Sequence, residues 1–434
     1  MKDHRDTRYA WFVAGLLAVA YAVAFVDRQV LNLLVDPIKT DLGLSDTRIS
    51  LLQGFAFVFA YVAMGPVFGR LADRGNRRNL LIAGIALWSG FTVLCGFSQG
   101  FWSLFTARAG IGAAEACLLP AAWSMLADYF SREKLPRAMS IFLLGPFVGG
   151  GLALIFGGLI VGAVADMEFH GTLAGIPPWG LTFVFIGAPG MLIAALLLAV
   201  REPPRQFAGT VEDRRFPLRD ALAFFWRERA FYGRFFGGMA LVVVGLYALP
   251  IWTPAYLMRV HGGNVADVGL QYGSATLIAG SFGVLLAPWL ARRLQARYPV
   301  DAPLRTAIAA CIGAAPCCLF LPFAPDYWSA LRASIGGSFF VNFALPMAAS
   351  ALQASTPNRM RGLATSIYAF VLTSIGLGVA PTLIAVVSDF ALDGPTSIGT
   401  ALGWCCGLTA LAAIPVLAGA ARRYAARLAA AEAA

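Results

Sequence analysis

Long apolar stretches fill most of this chain, and short polar turns separate them. A helix that crosses a bilayer needs about 20 consecutive apolar residues, and the sequence holds twelve such stretches. The first six lie at about 10–35, 48–71, 79–97, 101–129, 138–163 and 179–200, and the second six at about 231–258, 266–291, 304–322, 327–354, 362–388 and 396–420. Little length remains for a soluble domain. The pattern therefore predicts an all-α integral membrane protein with twelve transmembrane helices.

The composition agrees with a membrane protein and argues against other classes. Of the 434 residues, 59% are hydrophobic and 13% are charged, and the arginines behind the net charge of +10 lie in the turns. That distribution argues against nucleic-acid binding. The histidines and cysteines lack metal-site spacing, and the sequence has no Gly-x-x-x-x-Gly-Lys-Ser/Thr segment for nucleotide binding. We expect no cofactor, no metal and no enzymatic activity; an intramembrane enzyme and a channel are the other classes that we consider.

The basic residues predict an orientation. They cluster in every second turn, at residues 70–78, 132–137, 201–234, 292–305 and 359–361, while the opposite turns carry few. Turns rich in arginine and lysine stay on the cytoplasmic side of a membrane. We therefore expect a multi-pass protein of the inner (plasma) membrane with both termini in the cytoplasm.

The polar stretch at residues 201–230 divides the chain into two halves. We predict a six-helix bundle at residues 1–200, a cytoplasmic linker at 201–230 and a second bundle with a short tail at 231–434. The linker ends in an amphipathic helix, because its apolar residues recur at helical spacing: Leu218, Ala221, Leu222, Phe225 and Trp226. The segment Trp102–Arg108 is echoed by Trp328–Arg332, which predicts two pseudo-symmetric bundles. We expect a monomer.

Four ionisable residues lie deep in apolar stretches of the first half. Asp27 and Arg28 lie in the first stretch, Arg108 and Glu115 in the fourth, and their charges sum to zero. A charge at the bilayer centre costs at least about 2.5 to 3.5 kcal/mol, so each should find a partner. Helical rise places Asp27 and Arg108 at similar depths, which predicts a contact between them. Asp27 and Glu115 are candidate proton sites gated by Arg28 and Arg108; the alternative is a static ion-pair network that pins the two helices.

The second half offers weaker candidates. Arg332 is either an anion contact or an arginine that reaches for the membrane surface. Aromatic residues from four helices are candidates to line a cavity for an apolar tail, although packing is an alternative for each of them: Tyr247, Tyr272, Phe339 and Phe340.

Two glycine-bearing segments complete the candidate set. The turn at residues 65–78 combines Gly65 and Gly69, which would allow close helix packing, with Asp73, Arg77 and Arg78. We predict that it acts as a cytoplasmic latch, in which Asp128 pairs with Arg77 or Arg78 and Asp73 caps the helix that starts near Gly362. In the fifth stretch, a kink is predicted where a proline lies among glycines, at Gly145, Pro146, Gly149 and Gly150.

These segments resemble known family patterns. The turn is similar to the Gly-x-x-x-Asp-Arg-x-Gly-Arg-Arg loop of the major facilitator superfamily, and Gly145–Gly150 resembles the Gly-Pro-x-x-Gly-Gly pattern of its antiporters, with a plain kink as the alternative. Within the superfamily the chain looks like a Spinster-type transporter. Four segments carry that resemblance: Tyr21–Arg28, Pro66–Asp73, Arg108–Ala116 and Arg137–Phe142.

The resemblance implies a secondary carrier of two rocking bundles, in a family whose animal members move sphingosine phosphate or lysophospholipids and whose bacterial members are linked to protons. Family roles in coupling or substrate contact map onto Asp27, Arg28, Arg108 and Glu115. We therefore expect a proton-coupled exporter of a small amphipathic anion. A sugar-acid or drug carrier is the alternative.

Overall fold

The computed structural model describes residues 7–131, 134–165, 175–205, 218–356 and 361–432. In this part of the chain twelve helical segments are long and apolar enough to cross a membrane, as predicted. We number them in chain order: α1 Arg8–Asn32, α2 Asp46–Ala72, α3 Arg77–Gly96, α4 Phe101–Tyr129, α5 Arg137–Ala163, α6 Pro178–Leu197, α7 Arg229–His261, α8 Val265–Gln295, α9 Ala302–Phe323, α10 Tyr327–Leu352, α11 Ala364–Ala391 and α12 Ser397–Ala425. Two shorter helices lie at Val35–Leu42 and Leu218–Arg227, and the second is the predicted linker helix.

The helices form two compact units. The first contains Met1–Ala208 together with Asn264–Leu277, and the second contains Gly209–Gly263 and Ile278–Ala434. The first part of α8 thus belongs to the first unit, whereas the sequence put all of α8 in the second bundle. Glycines allow the first part of α8 to lie close to α5. A Cβ on Gly273 would lie 2.8 Å from the Leu154 Cβ of α5, and one on Gly158 of α5 would lie 3.2 Å from the Gly269 Cα. Such close approach requires residues without side chains.

Several spanning helices depart from regular α geometry. In α2 a π-helical turn, Leu51–Phe55, separates the short helix Asp46–Ser50 from Ala56–Arg74. Pro66 lies inside this last helix. A π turn inserts one residue and leaves a local backbone carbonyl without its usual helical partner. The turn in α2 therefore offers main-chain oxygens to neighbouring side chains.

Helix α5 is interrupted next to its proline. One helix ends at Leu143 and the next begins at Gly145, so Pro146 stands in a first turn, where its missing N–H costs nothing. Gly145 and Gly149 both pack on the backbone of α1: a Cβ on Gly145 would lie 2.9 Å from the Ala18 carbonyl oxygen, and one on Gly149 would overlap the backbone of Ala22. Gly150 has no heavy atom within 4 Å of a Cβ position. Two of the predicted glycines thus allow close packing, and Gly150 does not contribute to it.

This arrangement gives a matched pair of substitutions. Gly149→Ala should destabilise the protein by about 1 to 3 kcal/mol, because its methyl group would be forced into the α1 backbone. Gly150→Ala should be neutral or stabilising by up to about 1 kcal/mol, since alanine is the better helix former and the space is open. Thermal unfolding in detergent measures both. Equal melting temperatures for the two variants would contradict the packing described here.

The second unit is held by an aromatic core. Phe231, Tyr232 and Phe235 on α7 are buried, and the Phe231 ring lies 6.0 Å from that of Tyr424 in the last helix. Two buried polar groups bond to backbone: Trp252 Nε1 donates to the Pro381 carbonyl at 3.0 Å, and Tyr256 Oη donates to the Leu321 carbonyl at 2.7 Å. These bonds satisfy side chains that would otherwise be costly to bury.

Candidate functional site

The four charged residues predicted from the sequence converge inside the first unit. Asp27, Arg108 and Glu115 are almost completely buried, whereas 15% of the Arg28 side chain is exposed. Helix α1 supplies two of them and α4 the other two. Close contact of α4 with α2 is possible because a Cβ on Gly112 would overlap the Phe57 carbonyl group. The structure therefore brings both acids and both bases into one cluster. This agrees with the high free-energy cost of an unpaired charge in an apolar bundle.

Arg28 forms an ion pair with Glu115. Its Nε donates to Glu115 Oε2 at 2.8 Å, and its Nη2 donates to the same oxygen. Aromatic rings surround the guanidinium, with ring centroids 4.8 Å away at Phe25, 4.4 Å at Phe57 and 5.4 Å at Tyr61. Ring faces attract a cation without neutralising it. Arg28 is thus held as a cation whose charged partner is a single carboxylate oxygen.

Arg108 is held by main-chain carbonyls. Its Nε donates to Leu52 O at 3.1 Å, its Nη1 to Asp27 O at 3.2 Å and its Nη2 to Gln53 O at 3.4 Å. Two of these oxygens belong to the π turn of α2. The predicted contact between Asp27 and Arg108 therefore exists: Arg108 bonds to the peptide oxygen of Asp27, and its charge also interacts with the Asp27 carboxylate. The π turn supplies the other two acceptors of Arg108, which sequence periodicity does not show.

The Asp27 carboxyl group interacts with α3 instead. Thr92 Oγ1 lies 3.2 Å from Asp27 Oδ2 and 3.0 Å from the Trp88 carbonyl oxygen, so its one proton is shared between two acceptors. Within the described residues, Asp27 Oδ1 and Glu115 Oε1 are buried and have no hydrogen-bond donor. An unsatisfied buried acceptor is costly. Each acid thus has one carboxylate oxygen without a hydrogen-bond donor in the described part of the chain.

An amide chain borders the cluster. Gln53 Nε2 donates to Asn32 Oδ1 at 3.2 Å, and Asn32 Nδ2 donates to Gln29 Oε1. Sequence analysis did not single out Gln53 or Thr92. Gln53 could have been found as a polar amide within the apolar stretch 48–71. Threonine is common in such helices, so the sequence gave no indication of a role for Thr92.

The basic turn between α2 and α3 is bonded within its own unit. Arg77 is fully buried; it pairs with Asp128 and donates through Nε to Glu202 Oε1 at 2.6 Å. Its Nη1 also donates to the Ser124 carbonyl at 3.0 Å. The main-chain N–H of Arg78 donates to Glu202 Oε2 at 2.8 Å. The sequence predicted that Asp128 pairs with Arg77 or Arg78, and in the structure it pairs with Arg77. Glu202 is a second acceptor of Arg77 that the sequence did not reveal.

The segment that follows α6 is attached to the same turn. Arg205 Nη2 donates to the carbonyls of Ala72 and Gly75, both at 2.7 Å. The main-chain N–H of Arg201 donates to Tyr9 Oη at 2.8 Å, and the Arg201 carbonyl accepts from Tyr129 Oη. Residues 201–205, predicted as the start of a linker, therefore form part of the first unit.

The two glycines of the predicted latch turn do not pack closely. Gly65 and Gly69 face open space, with no heavy atom within 4 Å of a Cβ position, so the predicted close packing at these glycines is wrong. The side chain of Asp73 and the surroundings of Gly362 lie outside the described residues.

The candidates of the second half do not form a polar cluster. Arg332 is exposed, less than two turns into α10, where it interacts electrostatically with Asp326. Four bonds and contacts from neighbouring groups, first among them the Ser329 main-chain N–H, lower the pKa of Asp326, which caps α10. This position is the one expected of an arginine that reaches for the membrane surface.

The aromatic candidates are mostly packed. Tyr272 is fully buried and belongs to the segment Asn264–Leu277 of the first unit. Phe339 and Phe340 are half-buried and pack against Phe343, the first edge to face at a centroid distance of 5.0 Å and the second tilted at 6.3 Å. Tyr247 is half-buried, and a Cβ on Gly376 would collide with its ring.

Comparisons with known proteins agree with this fold. The model of the Major Facilitator Superfamily matches residues 17–381. An MFS-type efflux pump of Mycolicibacterium smegmatis is 28% identical over 420 residues, which are 92% of this chain and 90% of the pump. Protein spinster homolog 1 of Xenopus tropicalis is 30% identical over 403 residues, which are 88% of this chain and 73% of the relative.

A solved structure supports the same assignment. The crystal structure of a bacterial homologue of the human lysosomal transporter Spinster has a TM-score of 0.80 and 26% identity, covering 96% of this chain and 97% of the other. The chain therefore belongs to the major facilitator superfamily and, within it, to the Spinster-type transporters. It is a multi-pass membrane transporter of two pseudo-symmetric six-helix bundles, and not an enzyme, as the sequence predicted.

Proposed function

We propose that this protein is a proton-coupled secondary transporter that moves a small amphipathic anion by alternating access. One observation carries the proposal: Arg28 is the partly exposed member of an otherwise buried charge cluster, and its charged partner is the carboxylate of Glu115. A phosphate or carboxylate head group has the same acceptor chemistry as that partner. An anionic substrate therefore competes with Glu115 for the Arg28 guanidinium.

This competition supplies a coupling mechanism. While Glu115 is ionised, it occupies Arg28; once it is protonated, its attraction for the guanidinium falls and Arg28 is available to an anion. Proton and anion then bind together, which is the linkage that a coupled carrier needs. Asp27, with its unpartnered Oδ1, is the proposed second proton site. Arg108 is bound to three carbonyls and serves as the fixed positive charge of the cluster.

We further propose that the protein works as a monomer in the inner membrane with both termini in the cytoplasm. The alternation of basic and non-basic turns supports this orientation.

The latch role of Asp73 is also a proposal. Asp73→Asn should shift the balance between the two access states and slow transport without changing which substrate binds.

A second candidate is a proton-coupled drug or sugar-acid transporter. It is favoured by one observation, the similarity to a relative described as an efflux pump over nearly the whole chain. A cationic drug would not compete with Glu115 for Arg28, so it would not use the linkage proposed here. A carrier of an amphipathic anion and a carrier of a cationic drug therefore differ in how acidification changes substrate affinity.

Uptake into proteoliposomes separates these candidates. A panel of labelled lysophospholipids, sphingoid phosphates, sugar acids and cationic drugs is presented with and without a pH gradient. We expect saturable, gradient-driven transport and counterflow of an amphipathic anion, with an apparent affinity that rises up to about tenfold per pH unit of acidification. Transport of the cationic drugs alone would contradict the proposal, and flux without saturation would indicate a channel.

A further inference from the structure

The second unit contains a cavity that the transport mechanism does not use. It has a volume of about 580 Å³ and lies between the linker helix Leu218–Arg227, the first turns of α7 and one residue of α11. Its lining residues are Ala223, Phe225, Trp226, Arg229, Tyr232, Gly233, Phe236 and Ile367. Seven of these eight carry no charge, and most are aromatic or aliphatic. The cavity therefore suits an apolar chain far better than a polar solute.

Cations border this cavity. Arg229 lies over the Trp226 ring at 5.1 Å, and Trp226 itself is 71% exposed. Arg227 and Arg234 are also exposed and lie two residues before and five residues after Arg229. Glu228 is the acid among them and is half-buried. Arg229 is thus the cation of the lining, and the short segment 227–234 around it, which forms the cationic border, carries a net positive charge.

We propose that this cavity binds an anionic phospholipid of the surrounding bilayer, with one acyl chain in the cavity and the phosphate on Arg229 and Arg227. Three features support this occupant: the apolar lining, the cationic border and an amphipathic helix with an exposed tryptophan. An amphipathic helix with basic and aromatic residues lies in the membrane interface, where lipid head groups and acyl chains meet. Basic clusters at such helices attract anionic head groups. The inference does not depend on which substrate the protein carries.

The experiment measures thermal unfolding of the full chain in nanodiscs of phosphatidylcholine with increasing fractions of phosphatidylglycerol. For the unaltered protein, we expect phosphatidylglycerol to raise the melting temperature by about 3 °C or more. In the double variant Arg227→Gln, Arg229→Gln, this rise should be lost. Arg292→Gln, Arg293→Gln is the matched control, because Arg293 also lies over a tryptophan, Trp289, at 5.3 Å and neither residue lines the cavity. The control should keep the full rise.

A second variant tests the apolar part of the site. Gly233 lines the cavity and has no heavy atom within 4 Å of a Cβ position, so Gly233→Leu places a side chain where the acyl chain would lie. This variant keeps all cations and should also lose the response to phosphatidylglycerol. The proposal is overturned if phosphatidylglycerol has no effect on the unaltered protein, if the control variant loses the rise equally, or if Gly233→Leu keeps it.

Discussion

Replacing Glu115 by glutamine is expected to abolish uptake driven by a pH gradient while exchange of substrate across the liposome membrane continues. Glutamine has nearly the shape of glutamate but takes up no proton and carries no charge. Arg28 would then be permanently available to the anion. Substrate affinity should be high and equal at pH 6 and pH 8, whereas that of the unaltered protein should differ between these values by about 5- to 100-fold.

The measurement compares gradient-driven uptake, counterflow at equal pH and substrate affinity at both pH values. Glu202→Gln is the matched control, because Glu202 also accepts a hydrogen bond from an arginine, Arg77, but lies outside the buried cluster. It should keep full coupling. Asp27→Asn is expected to lose coupling like Glu115→Gln. Full proton coupling in both cluster variants would refute the proposed mechanism and leave the four charges as a static network.

Arg108→Gln is expected to lower the stability of the protein by about 3 to 5 kcal/mol. The substitution removes the donors of three carbonyl groups and leaves the buried Asp27 without its nearest fixed positive charge. Arg108→Lys should not restore stability, because one ammonium group cannot reproduce the planar fork of a guanidinium. Thermal unfolding in detergent, with refolding checked by size-exclusion chromatography, measures the loss.

Arg332→Gln provides the comparison for this second prediction. Arg332 is an arginine at an early position of a spanning helix, as Arg108 is, but its side chain is exposed. Its replacement should change stability by no more than about 0.5 kcal/mol. If Arg108→Gln changed stability as little as Arg332→Gln, the three carbonyl contacts would not stabilise the first unit. Arg108 would then be free to take part in gating.

The fold was predictable because the length and polarity of a membrane helix are set by the bilayer. Twelve apolar stretches gave twelve spanning helices, and the convergence of Asp27, Arg28, Arg108 and Glu115 followed from the cost of a lone charge in an apolar bundle. The composition of each apolar stretch, and the depth of a residue along it, can be read directly from the sequence.

The partners within the cluster were not predictable in the same way. A π turn at Leu51–Phe55 adds a residue to α2 and supplies carbonyls to Arg108, and no periodicity argument reveals such an insertion. Thr92 bonds to the Asp27 carboxylate, whereas Arg108 bonds to the main-chain oxygen of Asp27. Glu202 lies in the segment predicted as a cytoplasmic linker, because its contact with Arg77 depends on how the chain turns after α6. The hydrogen-bond partners of each side chain therefore depend on the local backbone geometry.

The balance of two acids and two bases in the cluster has a consequence for the electrical driving force. The four charges sum to zero, so the empty carrier has no net charge in the cluster. When one proton binds at Glu115 together with one singly charged anion, and Asp27 stays ionised, the loaded cluster is neutral as well. The membrane potential then does no work on either form. A doubly charged phosphate monoester would instead carry one extra negative charge through the field, worth about 2.3 kcal/mol per 100 mV.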